Sequence, residues 1–188
     1  CNSSNQCVAQ AQDPQTGNTQ LSFAIGLDGI GNTGDRKNPN SSSGSNKNPR
    51  TPSKSFSVEI YSGNTLIKTV GSGLLTSATA PRLTYNSSSG KYQGSVLVDL
   101  APGTYSVKIW GDKYLKKRLG NVTSGIPVSF NADLVAGAMA GNNFLSAADY
   151  GNLLGCLFKS LQSGITFCNL ADLDDNGVVD QFDYNLFL

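Results

Sequence analysis

Two hydrophobic spacings divide the chain. Between residues 21 and about 130, apolar and polar positions alternate: Leu21, Phe23, Ile25 and Leu27 interleave with Ser22, Ala24, Gly26 and Asp28, and Phe56, Val58 and Ile60 interleave with Ser57 and Glu59. A period of two is that of a strand with one face buried and the other wet. Further runs at 65–70, 82–85, 92–99, 104–110 and 126–130 are separated by Gly, Pro, Asn and Ser clusters such as NSSSG at 86–90. About seven short strands in some 110 residues predict a mainly β chain, an antiparallel sandwich of two packed sheets. Past residue 131 the spacing lengthens. Tyr150, Leu153, Leu154, Leu157, Phe158 and Leu161 recur at helical intervals and predict a helix over roughly 147–162 with those residues in its core. Tyr184, Phe187 and Leu188 predict a second helix of about two turns, starting after Asp180. The expected organisation is a polar N-terminal arm (1–20), a β-sandwich (21–130) and a small helical unit (131–188).

One stretch fits neither spacing. Residues 31–55, GNTGDRKNPNSSSGSNKNPRTPSKS, carry almost no apolar side chains, and the cations Arg36, Lys37, Lys47, Arg50 and Lys54 face the single anion Asp35. By composition it is a solvated loop; a contact with a neighbouring copy is the alternative.

Composition narrows the chemistry. The 188-residue chain carries a formal net charge of +1, which argues against a nucleic-acid binder. It has no histidine, so Ser-His-Asp and Cys-His nucleophile systems and His-bearing zinc sites cannot be built. The β region offers the carboxylates Glu59, Asp99, Asp28 and Asp112 with no spacing that singles out a catalytic pair, and the expectation is a non-catalytic protein. No stretch approaches the roughly 20 apolar residues of a membrane-spanning helix. A basic cluster, Lys108, Lys113, Lys116, Lys117 and Arg118, interleaves with Trp110 and Tyr114. Those two aromatics are a candidate carbohydrate-binding surface, set against the plainer reading of a wet strand end with one ring packed inward.

The most specific motif lies near the end of the chain. Residues 172–183, DLDDNGVVDQFD, put side-chain oxygens at loop positions 1 (Asp172), 3 (Asp174), 5 (Asn176), 9 (Asp180) and 12 (Asp183), with Gly177 at position 6 for the sharp bend. Val178, at position 7, adds its backbone carbonyl. A hard cation such as Ca²⁺ takes six to eight oxygens at roughly 2.3–2.6 Å, and alternate side chains turned inward supply them. One calcium site is predicted. A copy displaced by 34 residues, AMAGNNFLSAAD at 138–149, keeps the apolar scaffold but has Ala138 and Ala140 where the carboxylates belong. It is expected to fold dry, with Asp149 closing a capping box with Ser146.

Cysteines fall in two local pairs, Cys1 with Cys7 and Cys156 with Cys168, and neither is a C-x-x-C. Paired cysteines in a Ser/Asn/Gly-rich chain predict two disulfides in an extracellular or cell-surface setting. A chain starting at Cys1 reads as processed after secretion; a lipid anchor on Cys1 is the alternative to its disulfide.

These loop-helix repeats, each closed by an aspartate, resemble the dockerin family over about 133–188. That resemblance implies a calcium-dependent module that docks onto a cohesin-like partner, with Asp172, Asp174, Asn176, Asp180 and Asp183 carrying over as ligands. The turn Asp99–Tyr105, with its Pro102-Gly103-Thr104-Tyr105 run, is similar to that of prealbumin-like and collagen-adhesin B-type domains, which implies an immunoglobulin-like sandwich. Together these predict an extracellular structural or attachment protein acting through a protein partner or copies of itself. A carbohydrate-binding accessory module is the alternative.

Overall fold

The computed structural model describes residues 17–32, 34, 45–71, 81–161 and 167–188. The arm at 1–16, with its Cys1 and Cys7, and residues 35–44 of the basic loop lie outside them. Among the described residues there are nine strands: β1 (Gly17–Leu27), β2 (Ser53–Ser55), β3 (Ser57–Ser62), β4 (Thr65–Val70), β5 (Arg82–Asn86), β6 (Lys91–Leu100), β7 (Thr104–Gly111), β8 (Tyr114–Thr123) and β9 (Val128–Leu134). They form a five-stranded sheet in the order β2-β5-β6-β1-β9 and a four-stranded sheet in the order β4-β3-β7-β8. The alternating positions explain the packing. Leu21, Phe23, Ile25 and Leu27 of β1, Val58 and Ile60 of β3, and Val107 and Ile109 of β7 all turn into one core between the sheets.

The sandwich is mainly β as expected, but not wholly antiparallel. Strand β9 runs parallel to β1, from Val128 opposite Leu21 to Leu134 opposite Leu27. The pattern also missed two strands. β2 has no apolar residue, and β8 passes through Lys116, Lys117 and Arg118 at the sheet edge, where solvent removes the need for alternation. The Pro-Gly-Thr-Tyr turn is fastened as such corners are: the Tyr105 hydroxyl donates to the Ala101 carbonyl at 2.9 Å.

Beyond β9 come α1 (Ala147–Cys156), a 3-10 turn (Phe167–Leu170) and α2 (Gln181–Phe187). Helix α1 ends six residues earlier than its spacing predicted. Phe158 takes φ of 62° and turns the chain away, and the Phe158 N–H then bonds the Val179 carbonyl at 2.6 Å. The expected core face is accordingly split: Leu153 and Leu161 are buried, whereas Tyr150, Leu154 and Phe158 face solvent. A small core of Met139, Leu153, Leu161, Ala171 and Val179 holds the tail together, and the Cys156–Cys168 disulfide lies within it. The tail is also anchored to the sandwich, because Leu173 and Leu186 reach the main core with no exposure. Close approach is required there. A Cβ on Gly29 would lie 2.4 Å from Leu186 Cδ1 and 2.9 Å from Asp174 Cβ.

Candidate metal centre

Loop 172–183 is shaped by its own N–H groups. The Asn176 and Gly177 N–H groups donate to the two carboxylate oxygens of Asp172 at 3.0 Å each. The Asn176 backbone and side-chain N–H groups reach Asp174 at 3.1 and 3.0 Å. Asp183 accepts from the N–H groups of Leu173 and Asp174 on one oxygen and of Asp180 on the other, so the start of α2 is pinned to the start of the loop. Gly177 adopts φ of +97°, the left-handed bend its position demanded, and a side chain there would strike Arg50.

This wrapping brings Asp172, Asp174 and Asp183 together. Each offers a carboxylate oxygen within 4.8 Å of the others, and all three residues are buried, at 1%, 4% and 0% exposure. Among the described residues no ammonium or guanidinium is paired with these carboxylates. The cost appears in their proton affinities. Burial, then the charges of Asp183 and Asp172, pushes Asp174 up to about 7. Burial also pushes Asp183 up to about 6, opposed by its backbone donors and reinforced by Asp172. Three crowded, buried, cation-free carboxylates are the environment a hard divalent cation relieves, and the all-oxygen donor set fits calcium.

The other predicted ligands stand differently. Asn176 sits beside Asp174, with its carbonyl oxygen accepting from the Val178 N–H at 2.8 Å. Val178 faces Ser160 in an isolated antiparallel bridge between the intact loop and the segment that follows α1. Asp180 is outside the three-carboxylate cluster and serves as the N-cap of α2, accepting from the Phe182 N–H at 2.7 Å. In the first repeat, Asp149 accepts from the N–H groups of Ala140 and Ser146 and from the Ser146 hydroxyl, the capping box read from sequence. Asn143, where the intact loop has Gly177, takes the same left-handed turn at φ of 61°.

Sequence reasoning missed the outer side of the intact loop. Asp175, at position 4, points away from the cluster and accepts from the Thr51 N–H (2.9 Å), the Thr51 hydroxyl (3.1 Å) and the Lys54 ammonium (3.0 Å). Burial alone would raise its carboxyl, but Lys54 and Lys113 hold it below the ordinary range. Burial and the charge of Lys113 bring Lys54 down to about 8. Asn46 donates to the Asp174 carbonyl at 2.8 Å, the Arg50 N–H to the Asp175 carbonyl at 3.0 Å, and Lys113 to the Asp172 carbonyl. The described end of the basic loop is therefore clasped onto the tail of its own chain. A solvated loop was the expectation, and its one sequence-level signal was the excess of five cations over the single anion Asp35 within it.

The candidate sugar surface is not assembled. Tyr114 is 4% exposed and packs in the main core. Trp110 is half-buried, its indole N–H donates to Glu59 at 3.1 Å, and the Lys116 ammonium lies 5.3 Å from its ring centroid. The hairpin between β7 and β8 places Tyr114 opposite Gly111, so the two rings do not share a face.

No family model matches the sequence, and no curated protein does. Solved structures do. A chain in the crystal structure of a C-terminal interface mutant of a type II cohesin–X–dockerin complex from Acetivibrio cellulolyticus is 20% identical, with a TM-score of 0.52, covering 90% of this chain and 92% of that one. An N-terminal interface mutant of a type II cohesin–X–dockerin complex from the same organism gives 20% identity and a TM-score of 0.50 over the same shares. At that identity the likeness concerns fold: a mainly β sandwich with small helices near the C-terminus.

Proposed function

We propose that this chain is a non-catalytic extracellular attachment protein, stabilised by one calcium ion, that works by docking to a protein partner. The observation that carries the reading is the buried meeting of Asp172, Asp174 and Asp183 in a loop whose helix start is pinned by the same carboxylates. Calcium held there, with Asn176 and the Val178 carbonyl alongside, would neutralise the cluster and fix the tail against the sandwich. The dockerin-like reading of the tail also draws support from the breadth of the structural likeness. A match over 90% of the chain extends past the strands, which end at Leu134.

A fixed tail presents a surface. Phe144, Tyr150, Leu154, Phe158 and Phe182 are exposed on it, Phe158 at 74%. Apolar side chains left exposed on a small module are what a protein partner covers. The similar structures come from complexes of a cohesin with an X-dockerin, so the partner of choice is a cohesin-like β-sandwich. The Cys156–Cys168 disulfide suits an oxidising compartment. Among the described residues no helix is long and apolar enough to cross a membrane.

The reading is tested by titrating the calcium-loaded chain with a type II cohesin module in a calorimeter, and by sedimentation of the chain alone. Binding or self-association that chelator abolishes, and that Leu154→Asp weakens by about tenfold or more, is expected. Neither binding nor self-association in calcium would overturn it.

A further inference from the structure

The backbone of loop 172–183 is held from outside by groups that belong to the sandwich. Lys113 lies in the turn between β7 and β8, is 6% exposed, and donates from its ammonium to the Asp172 carbonyl. The Arg50 N–H reaches the Asp175 carbonyl at 3.0 Å, and the Asn46 side-chain amide reaches the Asp174 carbonyl at 2.8 Å. These donors are themselves fixed. Asn46 bonds Gly29 and Gly31 through its backbone at 2.8 Å each, and the carbonyls of Thr51 and Pro52 accept from the Tyr92 hydroxyl and the Tyr85 N–H at 2.9 and 2.7 Å. The Lys113 carbonyl accepts from the Gly137 N–H at 2.9 Å.

A trans peptide unit is planar, so its C=O and N–H point opposite ways and turn together. The Asp172 carbonyl shares its unit with the Leu173 N–H, which donates to Asp183. The Asp175 carbonyl shares its unit with the Asn176 N–H, which donates to Asp172 and Asp174 at 3.0 and 3.1 Å. Each of these outer bonds therefore aims an inner N–H at the carboxylate cluster. A cationic donor on the carbonyl also polarises the unit and strengthens the bond on its far side. Lys113 acts on Asp183 in this way without touching it, whereas Asn46 tethers the backbone of Asp174 itself. We propose that Lys113, Asn46 and the Arg50 N–H form an outer shell, supplied by the sandwich, that positions Asp172, Asp174 and Asp183 to hold calcium.

Lys113 is then a positioning residue whose charge opposes its role. An ammonium close to the loop repels an incoming cation, so removing the charge alone would tighten calcium binding, while removing the hydrogen bond that orients Leu173 would weaken it. The two effects differ in sign, and the proposal is that orientation wins.

This inference rests on the calcium reading above, which the parent chain tests separately. The metal-free full chain and its Lys113→Met, Asn46→Ala and Lys117→Met variants are titrated with calcium in a calorimeter. Lys117→Met removes an exposed cation of β8 and should bind as the parent does. Lys113→Met and Asn46→Ala should bind about tenfold or more weakly, the usual loss when an outer-shell partner of a metal ligand is removed. Asn46→Ala keeps both backbone bonds, so without metal it should melt near the parent temperature. In NMR spectra of Lys113→Met the Leu173 amide proton should move upfield as its bond to Asp183 loosens. No calcium uptake by the parent defeats the calcium reading and this inference together. Uptake by the parent with equal or tighter binding in Lys113→Met overturns this inference alone; should that variant fail to fold, parent-like affinity in Asn46→Ala overturns it.

Discussion

Glu59, the chain's sole glutamate, illustrates what a single buried carboxylate organises here. It accepts from the Lys116 ammonium at 2.7 Å, the Tyr61 hydroxyl at 2.6 Å and the Trp110 indole at 3.1 Å. Burial would raise its proton affinity, but these three donors outweigh burial and hold the carboxyl below the ordinary range. A lowered folded value means that the stabilisation is present above the unfolded value of about 4.3 and is lost as pH falls through the folded one. Glu59→Gln should therefore cost about 2 kcal/mol at neutral pH, and the gap between parent and variant in denaturant titrations should narrow as pH falls below the unfolded value of about 4.3. A gap independent of pH would contradict the assignment. Residue-level legibility in the sequence was uneven for a physical reason. The carboxylates of 172–183 obey a spacing that the backbone enforces locally, so Asp172, Asp174 and Asp183 were readable. Trp110 and Tyr114 lie on either side of a hairpin turn, where period-two parity breaks, and nothing local reveals that Tyr114 turns inward.

Elements with one buried face announced themselves, and those defined by distant partners did not. Strands β1, β6 and β7 follow their alternation closely, β3 buries Ser57 and Glu59 along with Val58 and Ile60, and β2 and β8 are held by neighbours rather than by apolar pattern. The parallel pairing of β1 with β9 joins segments about a hundred residues apart, beyond the reach of any local signal. The clasp of residues 46–54 over the loop 172–183 is of the same kind. Its Lys54–Asp175 pair spans 121 residues, with side-chain exposures of 11% and 8%. Removing one partner of a buried pair leaves the other charge uncompensated, so Asp175→Ala should cost on the order of 3 kcal/mol in chemical denaturation. Because Asp175 points away from the carboxylate cluster, metal stoichiometry should not change. A loss below about 0.5 kcal/mol would show that the clasp holds nothing.

For the molecule as a whole, sandwich and tail are coupled through the same loop. Its inner side gathers three carboxylates, its outer side takes Thr51 and Lys54, and Leu173 and Leu186 plug the main core. A cation bound only by the folded loop adds RT ln(1 + [L]/Kd), on the order of 3–4 kcal/mol at a few hundred- to a thousand-fold excess over Kd. Fold class and the inward-turned carboxylates of 172–183 were thus readable in the sequence, while the way one part leans on the other depends on contacts between residues more than a hundred positions apart. The central claim is that Asp172, Asp174 and Asp183 hold calcium. Calorimetric titration of the metal-free full chain with calcium tests it most directly: one ion should bind per chain, with binding lost in Asp183→Ala, whereas no saturable uptake by the parent chain at millimolar calcium would contradict the account.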